Sequence, residues 1–443
     1  MIIVNMPVLA NKLILTVIEP VRAFTSLPSV EARNLMCHHD IRKRKDTMTN
    51  LEYRRIYLDN AATTPMMPGV LAAMEPYLTS DYGNANALYR EGVIARQALE
   101  GARETIAEAI GASPTEVVFT SGGTEADNAA INGITAVMRQ KYGRIKAGNH
   151  LICSAFEHHA VLESIKSRKQ DGFSVTRVKP QRDGFIHLQD LQAVLTEQTM
   201  LVSVMTAQNE IGTVQPVREL ANLTHQVKSL NPTGVLFHTD AVQALGKIPF
   251  NVREAGVDAA SFSAHKIGGP KGIGALYLCR QTPFIAQIRG GGQELGRRSG
   301  TQNVAAAVGF AKALELTLER QQHEMNRLAQ LRDLLAAELL SLDRRISLSV
   351  PIDPTRHLPG LLAVTVQGLE SGTLILHLDD AGIAVSGGSA CSTGSLQPSH
   401  VLTAIGMSRS LALGALRFSL GSATTEADIP IVKAALARIL NHG

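Results

Sequence analysis

The chain has 443 residues, 45% hydrophobic and 19% charged, enough for a large core and more than one globular domain. Its 43 Lys and Arg nearly balance 39 Asp and Glu, for a net charge of +4, which gives no electrostatic basis for direct nucleic-acid or anionic-membrane binding. Cys37, Cys153, Cys279 and Cys391 are far apart and form no CxxC pair, which points away from disulfides and zinc and toward a reducing, cytoplasmic setting.

Residues 1–54 carry most of the positive excess and read as an extension without a fold, with Met48 as a candidate start. The apolar run Leu13–Ile18 is far too short to span a bilayer. The basic cluster Arg42-Lys43-Arg44-Lys45 follows that run, the reverse of a secretory signal. Glu19, Glu31, Asp40 and Asp46 speak against an organelle transit peptide. His38-His39 beside Cys37 are adjacent in sequence and have no further ligand at a metal-site spacing.

From residue 115 to 280, apolar runs alternate with helical patterns. The runs are 116–119, 150–154, 200–205, 235–237, 259–262 and 274–278; amphipathic stretches cover 126–139 and 217–229. Continuous apolar strands between helices predict a mostly parallel sheet covered on both faces, an α/β fold. Ligands in such sheets bind beyond the carboxyl ends of the strands. A long helical pattern over 304–341 leads into shorter strand and turn units, 361–366 and 416–420, which suggests a smaller α+β domain.

Each run is followed by polar residues. After the first comes Thr120-Ser121-Gly122-Gly123-Thr124-Glu125 and a helix, a pattern that can bind an anion on free backbone N–H groups. Then come Glu157-His158-His159, Gln208-Asn209-Glu210, Asp240-Ala241-Val242-Gln243, and Ser263-Ala264-His265-Lys266. Each alone is common. Together they supply a phosphate cradle, an imidazole, an amide, a carboxylate and a lysine at neighbouring strand ends. Pyridoxal 5′-phosphate needs that set: a helix N-terminus for its phosphate, a flat group on its ring, a carboxylate at the pyridine nitrogen and a lysine for the aldehyde. His158 and His159 are adjacent, so they cannot serve together as metal ligands on one face, and no metal is expected.

Cys391 lies in Ser386-Gly387-Gly388-Ser389-Ala390-Cys391-Ser392-Thr393-Gly394-Ser395, where small residues predict a mobile, solvent-open loop and a thiolate able to attack. With Tyr57-Leu58-Asp59-Asn60-Ala61-Ala62-Thr63-Thr64-Pro65, Asn209-Glu210-Ile211-Gly212, Gly269-Pro270-Lys271-Gly272 and Arg298-Ser299-Gly300-Thr301, this chain resembles the cysteine desulfurases of the NifS and IscS kind. These belong to the class V aminotransferases of PLP fold type I. The resemblance runs from about Ile56 to Thr425.

That resemblance implies a large domain over 71–303 with a mostly parallel seven-stranded sheet, and a smaller domain from 55–70 and 304–443. Lys266 would hold the cofactor as a Schiff base. Asp240 would meet the pyridine nitrogen, Gln243 the ring oxygen, and His158 would stack on the ring and move protons. Thr124, Ser263, His265 and the backbone of Gly123 would bind the phosphate. Thr301 would reach the phosphate of a partner subunit, implying a homodimer with shared sites. Asn209 would lie near substrate and ring, Asn84 in the substrate segment, and Arg417 would clamp the substrate carboxylate, facing away from the apolar side of its strand. The chain reads Gly83-Asn84-Ala85-Asn86-Ala87 where the family carries Gly-Asn-Pro-Ser-Ser, so the substrate segment departs from the pattern. The implied activity takes sulfur from L-cysteine, leaves L-alanine, and loads a persulfide on Cys391 for an acceptor protein of iron–sulfur assembly or tRNA thiolation. Selenocysteine lyase or another class V aminotransferase is the alternative.

Overall fold

The computed structural model describes residues 55–387 and 397–442. Residues 1–54, read as an extension, and the candidate nucleophile Cys391 lie outside the described residues. In chain order the strands are β1 (Ile56–Tyr57), β2 (Val117–Thr120), β3 (His150–Ser154), β4 (Ser174–Val178), β5 (Thr199–Ser203), β6 (Leu236–Asp240), β7 (Ala259–Ser263), β8 (Gly274–Leu278), β9 (Ile346–Leu348), β10 (Leu361–Val366), β11 (Ile383–Ala384) and β12 (Ala415–Ser419).

Seven of them form one sheet in the order β2-β8-β7-β6-β5-β3-β4. Only β8 runs against the rest. Every residue of β3, β5, β6, β7 and β8 is buried, which is why their sequences are continuous apolar runs and not alternating ones. The edge strand β4, Ser-Val-Thr-Arg-Val, is mostly open on its flank and carries no such run. Helix Gly123–Ala147 packs on β7 and β8.

Helix Arg90–Ile110 buries Ala95, Leu99, Ala102, Ile106 and Ile110 along one stripe and stops at Gly111, whose φ of 72° suits glycine. That stripe packs on helix Val304–Leu318. The 304–341 pattern is two helices, Val304–Leu318 and Gln321–Leu340. The first is buried almost along its length; the second turns only Leu331, Leu335 and Leu339 and their neighbours inward. The break falls at Glu319-Arg320, where the surroundings change and no Gly or Pro gives warning.

The antiparallel sheet β12-β10-β9 and the parallel pair β1-β11 share a second apolar cluster, with Leu58, Leu335, Leu374 and Phe418 at its centre. A bridge between Asp59 and Ser419 ties the two small sheets together. No helix among the described residues is long and apolar enough to cross a membrane.

Candidate active site

The carboxyl ends of β2, β3, β5, β6 and β7 carry the polar residues singled out by their spacing. At the end of β2, the Thr120 hydroxyl donates to Gly122 O at 3.0 Å. Gly122 sits at φ 151°, a conformation that a side chain would strain. A Cβ on Gly123 would lie 2.7 Å from Val242 Cγ2, so the helix start needs glycine to approach the turn after β6. Helix Gly123–Ala147 then points its first N–H groups out of the sheet end, beside Thr124. Glu125 accepts from Ser121 N–H at 2.8 Å and from Arg298 Nε at 2.9 Å, which fixes the turn and the 298–301 loop together.

His158 caps the next helix, with its Nδ1 accepting from Ala160 N–H at 3.2 Å. A neutral ring held this way carries its proton on Nε2. Burial, then the positive charges of Lys266, His159 and His400, holds His158 below its ordinary range against the pull of Asp240. His159 is exposed and tilts against His400 with ring centres 4.6 Å apart.

Asp240 ends β6, buried, and accepts from Val242 N–H at 2.9 Å. Burial raises its carboxyl, while His158, that N–H and Lys266 pull it back. Gln243 Nε2 donates to Ala61 O at 2.9 Å. Lys266 follows β7 in the turn Ala264–Lys266, and its Nζ donates to Ala61 O at 2.8 Å and Ala62 O at 2.7 Å. The segment 59–64 is therefore a clamp on the lysine: Thr64 Oγ1 donates to His265 O at 2.8 Å, and Thr63 Oγ1 lies 3.1 Å from His265 Nδ1. Burial and then Lys266, Lys271 and Lys247 push His265 down to about 4. Three lysines around one imidazole, beside buried Ser263, make a pocket suited to an anion.

Arg417 of β12 is 2% exposed. Its Nη2 donates to Asp59 Oδ1 at 2.7 Å and its Nη1 to Asn209 O at 2.9 Å. Both faces of β12 are buried: Leu416 and Phe418 turn into the second apolar cluster, and Arg417 turns the other way, its guanidinium held by hydrogen bonds inside the protein. The described residues flanking Cys391 meet the same neighbourhood. Arg417 N–H donates to Ser386 O at 2.7 Å, the Ser399 hydroxyl donates to Glu210, and His400 Nε2 lies 3.0 Å from Glu157 O.

Asn84 and Thr301 are exposed and form a separate group. Asn84 Oδ1 accepts from Asn86 N–H at 3.0 Å, and Asn86 Nδ2 donates to Gln302 Oε1 at 3.1 Å. That pairing is what Asn86 gives this chain in place of the family's residues.

Two buried carboxyls, Asp127 and Glu157, were given no role by the sequence reading. Asp127, on helix Gly123–Ala147, is held well above its ordinary range by burial, Asp240 and Glu157. Glu157, 0% exposed, accepts from Met205 N–H at 2.7 Å and is pushed up to about 8, first by burial and then by Asp240. Acidic residues in loops and helix starts are common, so nothing in their spacing marked them.

The donor set fits pyridoxal phosphate. A buried carboxylate awaits a cationic ring nitrogen, an amine and an imidazole converge on it, and a helix N-terminus with a cationic rim suits the phosphate. Residues 56–432 match the Aminotransferase class-V family. The chain is 44% identical over 389 residues to the cysteine desulfurase IscS of Dictyoglomus turgidum, covering 87% of this chain and 95% of that one. A solved NifS-like protein superposes with a TM-score of 0.79 at 36% identity, over 88% of this chain and all of the other. SspA, solved in complex with cysteine, superposes at 0.69 with 34% identity, over 82% and 98%. The chain belongs to the class-V aminotransferase family and, within it, to the cysteine desulfurases, which work with pyridoxal phosphate.

Proposed function

We propose that this protein takes the sulfur of L-cysteine, releases L-alanine, and passes the sulfur through Cys391 to an acceptor protein. The observation that carries the reading is the meeting of Lys266, Asp240, His158 and Gln243 at one sheet end, in a chain so close to the IscS enzymes.

Pyridoxal phosphate, when bound, supplies an electron sink that weakens bonds at the substrate α-carbon. Lys266 would hold it, and its amine would take the proton from the substrate Cα. Asp240 would keep the ring nitrogen protonated. Thr124, Ser263, His265 and the Gly123 N–H bind the phosphate, joined by Thr301 of a second subunit in a homodimer. Arg417 would donate to the substrate carboxylate, exchanging for it the Asp59 carboxylate it now holds, with Asn209 and Asn84 beside the substrate. His158 handles the substrate thiol proton; its Nδ1 faces Ala160 N–H, so Nε2 is the nitrogen left for exchange. The Cys391 thiolate attacks the substrate sulfur: an S–S bond forms, the C–S bond breaks, and its electrons stay with the carbon fragment that becomes alanine. The second apolar cluster, with its small sheets, is the body of a smaller domain from 55–70 and 304–443. The acceptor is an iron–sulfur scaffold or a tRNA-thiolation protein in the cytoplasm.

Incubating the protein with cysteine should add one sulfur to Cys391, read by mass spectrometry, alongside alanine. Cys391→Ala should stop sulfide release. Unchanged turnover in that variant overturns the desulfurase reading in favour of a lyase or aminotransferase that needs no thiol.

A further inference from the structure

A second lysine lies behind the cofactor site, and the steps above give it no role. Lys247 follows Gln243 by four residues in Gln243-Ala244-Leu245-Gly246-Lys247. The turn is helical: Leu245 N–H donates to Ala241 O and Lys247 N–H to Ala244 O, both at 3.0 Å. Gly246 stands at φ 72°, and a Cβ there would lie 2.8 Å from Thr317 Cγ2. Within this turn Lys247 Nζ donates to Gln243 Oε1.

An ammonium donates and never accepts. Lys247 therefore takes the carbonyl end of the Gln243 amide and settles its orientation. The NH2 end is left facing Ala61 O, at 2.9 Å. The same carbonyl accepts from Lys266 at 2.8 Å. One hydrogen-bonded chain thus links Lys247, Gln243, Ala61 and Lys266. The charged groups acting on Lys247 are Lys266 and Arg417, and Lys247 acts in turn on His265. Burial, then Lys266 and Arg417, brings the Lys247 ammonium down to about 7.

We propose that Lys247 is a positioning residue for the desulfurase reaction: by taking Gln243 Oε1 it leaves the Gln243 NH2 group to serve both Ala61 O and the cofactor's ring oxygen, and it sets a cation behind Lys266. This rests on the reading that Gln243 serves that oxygen.

The test is the pH midpoint of the visible absorption band of the full-length, cofactor-loaded protein. Lys247→Met removes both donor and cation. Each loss favours protonation at the Lys266 linkage, so the midpoint should rise by about one pH unit, a tenfold change in proton affinity. Lys247→Arg keeps a donor and a charge and should hold the midpoint near that of the unmodified protein. Gln243→Leu separates the two readings. If Gln243→Leu moves the band and Lys247→Met does not, the role of Lys247 is overturned and the site stands. If Gln243→Leu leaves the band unmoved, the assignment of Gln243 fails and the proposal with it. Should Lys247→Met not fold by circular dichroism, Lys247→Gln carries the test: it loses the cation and must still raise the midpoint, and an unmoved midpoint overturns the proposal.

Discussion

Glu157 shows how a buried acid one residue from His158 carries its own pH signature. Its folded pKa, about 8, lies above the ordinary carboxyl value of 4.5 because burial outweighs the hydrogen bonds from Ser154 and Met205. Between those two values the unfolded chain has lost the proton and the folded one keeps it, so this group makes stability fall as pH rises. Glu157→Gln copies the neutral acid and removes that slope. Its melting temperature should decline less between about pH 5 and about pH 8 than that of the unmodified protein, by calorimetry; an equal decline refutes the assignment. His158 moves the other way. Burial lowers it, so it remains neutral near pH 7 without help from a bound partner. His158→Gln should keep the visible band yet lose about 10²- to 10⁴-fold in turnover, because proton transfer is removed while the cofactor stays.

At the scale of elements, the central strands could be read because burial on both faces leaves an unbroken apolar run, and the polar residues after them could be read because the sheet's chemistry gathers there. β4 could not, since an open edge asks for no apolar pattern. The helix break at Glu319-Arg320 was hidden because its cause is a change of neighbours, not a breaker residue. Lys247 and the 61–62 carbonyls were hidden for a related reason: the carbonyls become informative only when the fold brings residues 182 to 205 positions away onto them, and Lys247 only through its neighbour Gln243. The roles of Thr301 and Asn84 rest on resemblance; their segments are joined through Asn86, which bonds both Asn84 and Gln302. Gly123 is where element packing meets the proposed phosphate site. Gly123→Ala puts a methyl 2.7 Å from Val242 Cγ2, beside the N–H that holds Asp240. Relief requires Val242 to turn to another rotamer, or the helix start or the turn after β6 to shift by several tenths of an ångström. Affinity for pyridoxal phosphate should fall about tenfold or more, by absorbance titration of the cofactor-free protein, with the melting temperature of that form little changed.

For the whole molecule, Asn86 and Gln302 draw the Asn84 and Thr301 segments to one exposed place, while Lys266, Asp240 and His158 meet at the sheet end. Thr301 being exposed suits a residue completed by a second subunit. In a homodimer with shared sites, each site would combine Lys266 of one subunit with Thr301 of the other. A Lys266→Ala subunit then spoils its own site but lends an intact Thr301, and a Thr301→Val subunit keeps Lys266 but lends a faulty loop. Unfolding and refolding the two variants together yields hybrids in which one site draws both intact residues. Such mixtures should release more sulfide from cysteine than either parent alone at equal protein concentration. If each site were built within one chain, every site in the hybrid would carry one of the two lesions, and mixing would give only the average of the parents.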